Sequence, residues 1–287
     1  MTTSVDQNLA GRVALITDID PEIGVEVADR LLRAGASILV TGFRAAEVIS
    51  KRFGEGQDIT FTGVDEVTTD KITELYLRIR QDYGDLDMII TNNDVNPELD
   101  ADAMFQRHAT GICFTLHKLH PLLRDGGAIV VCASFPPEQR QKSRLIVDAA
   151  TAFVESLAQN WALVLETRRI RVNVVSLYNV NPDRMLVSEE LDLSSHRSTS
   201  TVRKRPISVN EVASAVVELA AEGCSVNGAE VTVVDGKPQV SQLAFSANSN
   251  ILGSPELVVD NIVFLASDVS RPLTGMELFP EGEIRKL

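Results

Sequence analysis

The chain has 287 residues, 44 % of them hydrophobic and 23 % charged, the balance of an ordinary soluble globular protein; collagen-like, coiled-coil and disordered classes are excluded. Lys and Arg number 27 against 40 Asp and Glu, a net charge of −13, so nucleic acid is not an expected partner, because affinity for a phosphate backbone comes from basic groups. No apolar run approaches the roughly 18 residues of a membrane span, Met1 to Asn8 does not read as a secretory signal, and Cys113, Cys132 and Cys224 form no disulfide framework, so a cytoplasmic protein without membrane contact is expected.

Short apolar runs alternate with longer amphipathic segments. Val13–Thr17 reads as a buried strand, 24–34 as a helix, Ser37–Thr41 and 60–64 as the second and third strands. A helix over 69–83 precedes a strand at 88–91, a helix over 105–123 precedes a strand at 128–133, and a helix over 148–166 precedes the strand Arg171–Leu177. Strands this short and apolar, separated by helices, predict a parallel sheet covered on both faces. Right-handed crossovers then give a doubly wound α/β three-layer sandwich. Between Asn179 and Pro206 the chain is polar and rich in Ser and Thr, which reads either as a surface loop or as a lid over the mouth of the sheet.

The tail carries an internal echo. EVASAVVELAAEGCSVNGAEVTVVDG at 211–236 and ELVVDNIVFLASDVSRPLTGMELFPEG at 256–282 both run helix, Leu-Ala, loop, Gly, strand, acid-Gly. The polar stretch from Lys237 to Ser254 reads as a linker. The expected domains are therefore 1–236 and a C-terminal extension, 237–287, that repeats the last helix–strand unit.

LAGRVALIT at 9–17, Val64-Asp65, Asn92-Asn93, Ser134, IRVNVVS at 170–176 and EVA at 211–213, in this order and at these spacings, resemble the short-chain dehydrogenase/reductase family. The resemblance covers nearly the whole chain to Gly236. It implies a Rossmann-like fold, a nicotinamide cofactor on the first half of the sheet, and hydride transfer that uses a Ser, a Tyr, a Lys and an assisting Asn.

Two parts of the family pattern differ in this chain. Its phosphate loop, Thr-Gly-x-x-x-Gly-Ile-Gly, here reads Thr17-Asp18-Ile19-Asp20-Pro21-Glu22-Ile23-Gly24. The glycines allow a tight turn and a close approach of backbone to pyrophosphate. Asp20 fits a helix N-cap, Pro21 the first helical turn, and Glu22 the dipole end that an anion would occupy. Asp18, Asp20 and Glu22 would also repel a phosphate, by about 4 kcal/mol for a pair of charges about 4 Å apart at an effective dielectric near 20. No cofactor is therefore expected, with NAD(P) as the alternative; Asp65, Asn92 and Arg44 remain where the family contacts adenine, the cofactor and a 2′-phosphate.

The catalytic helix aligns without gaps. Ser134 lies 13 residues before Val147, and Asn173 lies 22 residues after Thr151, which places Val147 at the family's Tyr and Thr151 at its Lys. Valine can neither donate nor accept a proton. The family's Asn position falls on His108. Of the three tyrosines, Tyr76 and Tyr83 belong to the helix after the third strand, on the far side of the sheet, and Tyr178 follows the sixth strand. A relocated set of Ser134, Tyr178 and His108 is the candidate catalytic group, since His titrates near neutral pH. His117 and His120 lack a clustered third ligand, so no metal site is expected.

Three functions compete. The first is a non-catalytic structural or regulatory subunit in a homo- or hetero-oligomer, including one with an active family relative. The second is a cofactor-independent cyclase, isomerase, dehydratase or lyase that binds a small molecule in the pocket at the carboxyl ends of the strands. The third is an NAD(P)-dependent oxidoreductase with rewired residues. They rank in that order.

Overall fold

The computed structural model describes residues 9–19, 23–42, 45–53, 56–62, 69–91, 105, 111–134, 144–177, 208–234, 237–242, 276–278 and 284–286. The chain divides into two compact units, residues 1–243 and 244–287. In the first, β1 (Val13–Thr17), α1 (Ile23–Arg33), β2 (Ser37–Thr41), α2 (Ala45–Arg52), β3 (Ile59–Thr62), α3 (Thr69–Asp82) and β4 (Leu86–Thr91) come first. They are followed by α4 (Gly111–Leu119), β5 (Leu123–Ser134), α5 (Arg144–Val164), β6 (Arg171–Leu177), α6 (Val209–Ala220), β7 (Ala229–Val234) and β8 (Lys237–Gln242). The strands form one sheet in the order β3-β2-β1-β4-β5-β6-β7-β8. The first seven are parallel, and β8 pairs antiparallel to β7.

Strand alternation sorts the core into two layers. Ala14, Ile16, Ile38, Val40, Met88, Ile90 and Val130 face α1, α2 and α6. Val13, Leu15, Leu39, Ile89, Ile129 and Val131 face α3, α4 and α5. This is the expected Rossmann-like α/β sandwich with its central parallel sheet. The far-side placement of Tyr76 and Tyr83 is corrected, since both pack on the face that also carries α5. Tyr83 is nevertheless remote from the carboxyl ends of the strands, because its hydroxyl is hydrogen-bonded to Thr60 of the edge strand β3, 2.5 Å away.

Several boundaries differ from the sequence reading, three of them in ways that matter for the sheet. The helix expected over 105–123 is α4, Gly111–Leu119, followed by a 3-10 turn at His120–Leu122 whose Pro121 ends the α-helix. Leu123 already belongs to β5, opposite Leu86, and the register shifts before Ala128 pairs with Met88. Gly127 makes the shift sterically feasible: a Cβ there would lie 2.9 Å from the carbonyl oxygens of both Arg124 and Asp87. Lys237–Gln242, read as linker, is strand β8, with Val240 opposite Val231. The first tail repeat therefore fills the last positions of the sheet, its helix opened by Ser208 and Glu211 in a reciprocal capping box.

In the second unit, the described residues are the antiparallel strands β9 (Met276–Leu278) and β10 (Ile284–Lys286), with Ile284 opposite Leu278. The echo thus extends one step further: in each repeat, a strand beginning just after a glycine is followed by acid-Gly and then by an antiparallel partner. The echo's helical part, from Glu256, lies outside the described residues.

The amino-terminal pole of the sheet is closed by charge. The buried carboxylate of Asp87 on β4 accepts the Val13 backbone N–H at 2.9 Å, Arg12 Nη1 at 2.7 Å, and Arg124 Nη1 at 3.1 and 3.3 Å. One side chain thereby ties the starts of β1, β4 and β5. Arg171 donates to the last carbonyls of α6, among them Ala221 at 2.8 Å, and buried Asn173 accepts from Ala229 N–H and donates to Val226 O. Near the same pole, His120 and Trp161 stack with ring centroids 4.7 Å apart. Burial, with His117 and Arg168 nearby, lowers the His120 pKa below its ordinary 6.5.

Replacing Asp87 by Ala is expected to cost about 2 kcal/mol, because it orphans the Val13 N–H while both arginines can turn to water; a urea melt reads this. Below pH 6.5 the unfolded chain takes up a proton that native His120 resists, so stability falls as pH drops through that value. His120→Gln should flatten this decline between about pH 7.5 and about pH 5.5, as measured by denaturant titration at each pH.

Candidate functional site

The carboxyl ends of β1, β2, β4, β5 and β6 form one rim. The order reverses between β1 and β4, and in open α/β sheets ligands bind at that crevice. The rim is lined by hydroxyls: Thr17, Thr41 and Thr91 end β1, β2 and β4, and all three are buried. Thr17 and Thr91 are register partners across the reversal.

The loop after β1 begins with a sharp turn. Asp18 has φ +49°, a left-handed conformation that Asp tolerates better than most residues with a Cβ. The turn is pinned to β2, whose Thr41 carbonyl accepts Ile19 N–H at 2.9 Å while its Oγ1 lies 3.4 Å from Asp18 N. Gly42, at φ +138°, allows this approach, since a Cβ there would lie 3.2 Å from Asp18 Cα and Ile19 N. The left-handed turn that glycine normally provides is thus retained at Asp18, and Gly42 lets the end of β2 pack against it. Gly24 is buried in α1, which opens at Ile23. Asp20, Pro21 and Glu22, and with them the expected self-capped helix start, lie outside the described residues.

Ser134 is the last residue of β5, and its backbone pairs with Leu177, the last residue of β6. Tyr178, which follows Leu177 in the chain, lies outside the described residues, as do His108, Asn92, Asp65 and Arg44. The ring of Phe105, three residues before His108, sits 6.4 Å from that of Phe153 on α5. Val147 and Thr151 both fall inside α5, at the i, i+4 spacing of one helix face. Thr151 is buried in line with Val154, Ala158 and Ala162, the row that packs on the sheet. Among the described residues there is no group of three or more potential metal ligands.

Sequence reasoning missed Thr91. Its hydroxyl is buried without a hydrogen-bond partner, a state that costs roughly 1–3 kcal/mol unless a ligand or water completes the bond. The available signal was a hydroxyl ending an otherwise apolar strand, two residues beyond core-facing Ile89. The hydroxyl-ended strands and this orphaned hydroxyl fit a polar ligand at the reversal.

Seven parallel strands in this order, separated by helices on both faces and with the strand order reversing between β1 and β4, define a Rossmann-like protein. The family described as enoyl-(acyl carrier protein) reductase matches residues 21–236, and the chain belongs to the short-chain dehydrogenase/reductase family. Similar curated proteins include a hydroxynaphthalene reductase-like protein from Metarhizium acridum, 25 % identical over 63 % of this chain and 73 % of its own. Versicolorin reductase from Emericella nidulans is 25 % identical over 66 % of this chain and 77 % of its own. A short chain dehydrogenase/reductase from Aspergillus oryzae is 26 % identical over 80 % and 95 %. Among solved structures, a hydroxysteroid dehydrogenase from Escherichia coli shares the fold with TM-score 0.65 at 22 % identity, covering 83 % of this chain and all of its own.

These findings correct three expectations: the non-catalytic subunit placed first, the absence of oxidoreductase activity, and the absence of a cofactor. The family match begins inside the altered loop, at residue 21, and runs through Val147 and Thr151; its description is that of a reductase, similar proteins are named as reductases, and a short chain dehydrogenase from Burkholderia cenocepacia with the same fold is in complex with NADP. Part of the physical error lay in equating the first lost glycine with a lost turn, since Asp18 itself adopts the left-handed conformation. Gly42→Ala should lower stability by about 1–2 kcal/mol through strain at its positive φ and contact with the Asp18 backbone, as read by a denaturant melt.

Proposed function

We propose that the chain is an NADPH-dependent reductase of small carbonyl compounds, of the conjugated or polycyclic aromatic kind. The observation that carries this reading is the family match over residues 21–236, described as a reductase; the names of relatives that reduce hydroxynaphthalene-type and versicolorin-type compounds support the substrate class. When bound, the nicotinamide supplies a hydride. Thr17, Asp18, Gly24 and Asn92 would hold the nucleotide along the rim and Asp65 its adenine. Arg44, after β2, favours the 2′-phosphate of NADPH over NADH.

The chain's own residues supply the proton. Ser134 donates a hydrogen bond to the substrate carbonyl oxygen, and Tyr178, the residue after β6, gives its phenolic proton to the developing alkoxide. His108 supports that transfer as a residue type able to exchange protons. This arrangement is atypical of the family, whose Tyr and Lys positions are Val147 and Thr151. Assembly as a homo-oligomer belongs to the same proposal, supported by Phe153, Leu163 and Val164 of α5, which are 40 %, 45 % and 65 % exposed.

Calorimetric titration of the full chain should show NADPH binding at about micromolar Kd, with NADH about tenfold weaker or more. NADPH consumption should follow addition of a polycyclic aromatic ketone or an enoyl thioester. Ser134→Ala and Tyr178→Phe should each lower kcat by roughly 10²–10⁴ with nucleotide affinity kept. Absence of binding by either nucleotide would refute the proposal.

A further inference from the structure

We propose that the hydroxyl of Thr91 is a ligand-binding group of this site, hydrogen-bonding the nicotinamide-side half of the bound nucleotide; the inference rests on the nucleotide use proposed above. Thr91 is 1 % exposed, and its Oγ1 is buried with no hydrogen-bond partner. Buried side-chain hydroxyls are nearly always satisfied in native proteins, so an orphan marks a place where a ligand or water atom completes the bond. Two other buried side-chain atoms share this state among the described residues. Asp29 Oδ2 is compensated by ion pairs with Arg33 and Arg52, and His120 Nδ1 lies near the amino-terminal pole. Thr91 alone of the three stands at the ligand crevice.

Its place in the sheet selects the part of the ligand it meets. Thr91 lies between Thr17 of β1 and Val131 of β5, on the far side of the reversal from β2. Strand alternation sets it on the face of Ile89, which carries α4 and α5. On the adjoining β5 the strand ends at Ser134. A dinucleotide lying across the reversal, with its adenosine end toward Arg44 after β2, brings its phosphates over β1 and its nicotinamide half over β4 and β5. Valine has nearly the shape of threonine and no polar group to desolvate, so packing alone would favour it at this buried position. The hydroxyl is retained at a cost to the ligand-free fold, which ligand binding recovers.

The test compares Thr91→Val and Thr91→Ser with the unaltered full chain. Calorimetry with NADPH and with 2′,5′-ADP, the adenosine-side fragment, reads affinity; thermal melts without ligand read stability. Thr91→Val should bind NADPH about three- to tenfold more weakly, the range of one net hydrogen bond, bind 2′,5′-ADP as before, and melt at the same or a higher temperature. Thr91→Ser should restore NADPH affinity. NADPH affinity unchanged in Thr91→Val overturns the inference while leaving the reductase reading intact. Equal weakening toward both ligands also overturns it, since that reports a general loosening of the site. Failure of the unaltered chain to bind NADPH overturns the reductase reading and this inference with it.

Discussion

The sheet is covered by helices on both faces, and its central strands carry apolar residues in both directions. Polar chemistry can therefore emerge only at the two ends of the strands. The two ends use that freedom differently. At the amino-terminal end, Asp87 binds Val13 N–H, Arg12 and Arg124, and Arg171 binds the last carbonyls of α6, so the charged groups are paired within the protein. At the carboxyl end, the strands finish on uncharged hydroxyls, Thr17, Thr41 and Thr91, one of them unsatisfied. One pole uses charged groups to hold strands together; the other ends on hydroxyls, of which Thr41 pins the Asp18 turn and Thr91 has no partner.

The architecture was legible because each buried strand is a short apolar run bounded by breakers, and because one-sided helices separate them. What was not legible has specific causes. Helix α2 spans eight residues and buries Ala45 and Val48, too few for a helical period to stand out. Strand β8 reads Lys-Pro-Gln-Val-Ser-Gln, which lacks the apolar run by which the other strands were found; its pairing comes from β7, not from its own composition. The end of α4 was overrun because Leu119, Leu122 and Leu123 continue an apolar pattern through the turn that Pro121 imposes.

The strand ends were legible more readily than what they carry. Ser134 was found from its spacing, and the structure places it at the end of β5 opposite Leu177. The start of the loop was misjudged because its first glycine was read as a residue type, whereas the turn requires a backbone conformation: Asp18 supplies the left-handed φ, and Gly42, 24 positions later, lets the end of β2 pack against it. Such a contact between neighbouring strands cannot be seen while each loop is read alone. The buried threonine at the end of β4 was passed over for a similar reason, since an orphaned hydroxyl is a property of its surroundings.

The bond between Val13 N–H and Asp87 joins residues 74 apart in the chain. During synthesis, at about 5–20 residues per second, β1 emerges several seconds before the strand that anchors its start. Until then the nascent segment β1-α1-β2-α2-β3 must rely on its own small core, with one flank of β1 unpaired. The order of manufacture thus leaves the oldest strand of the sheet waiting for the fourth, and a translational pause before β4 would prolong its exposure to other chains and to chaperones.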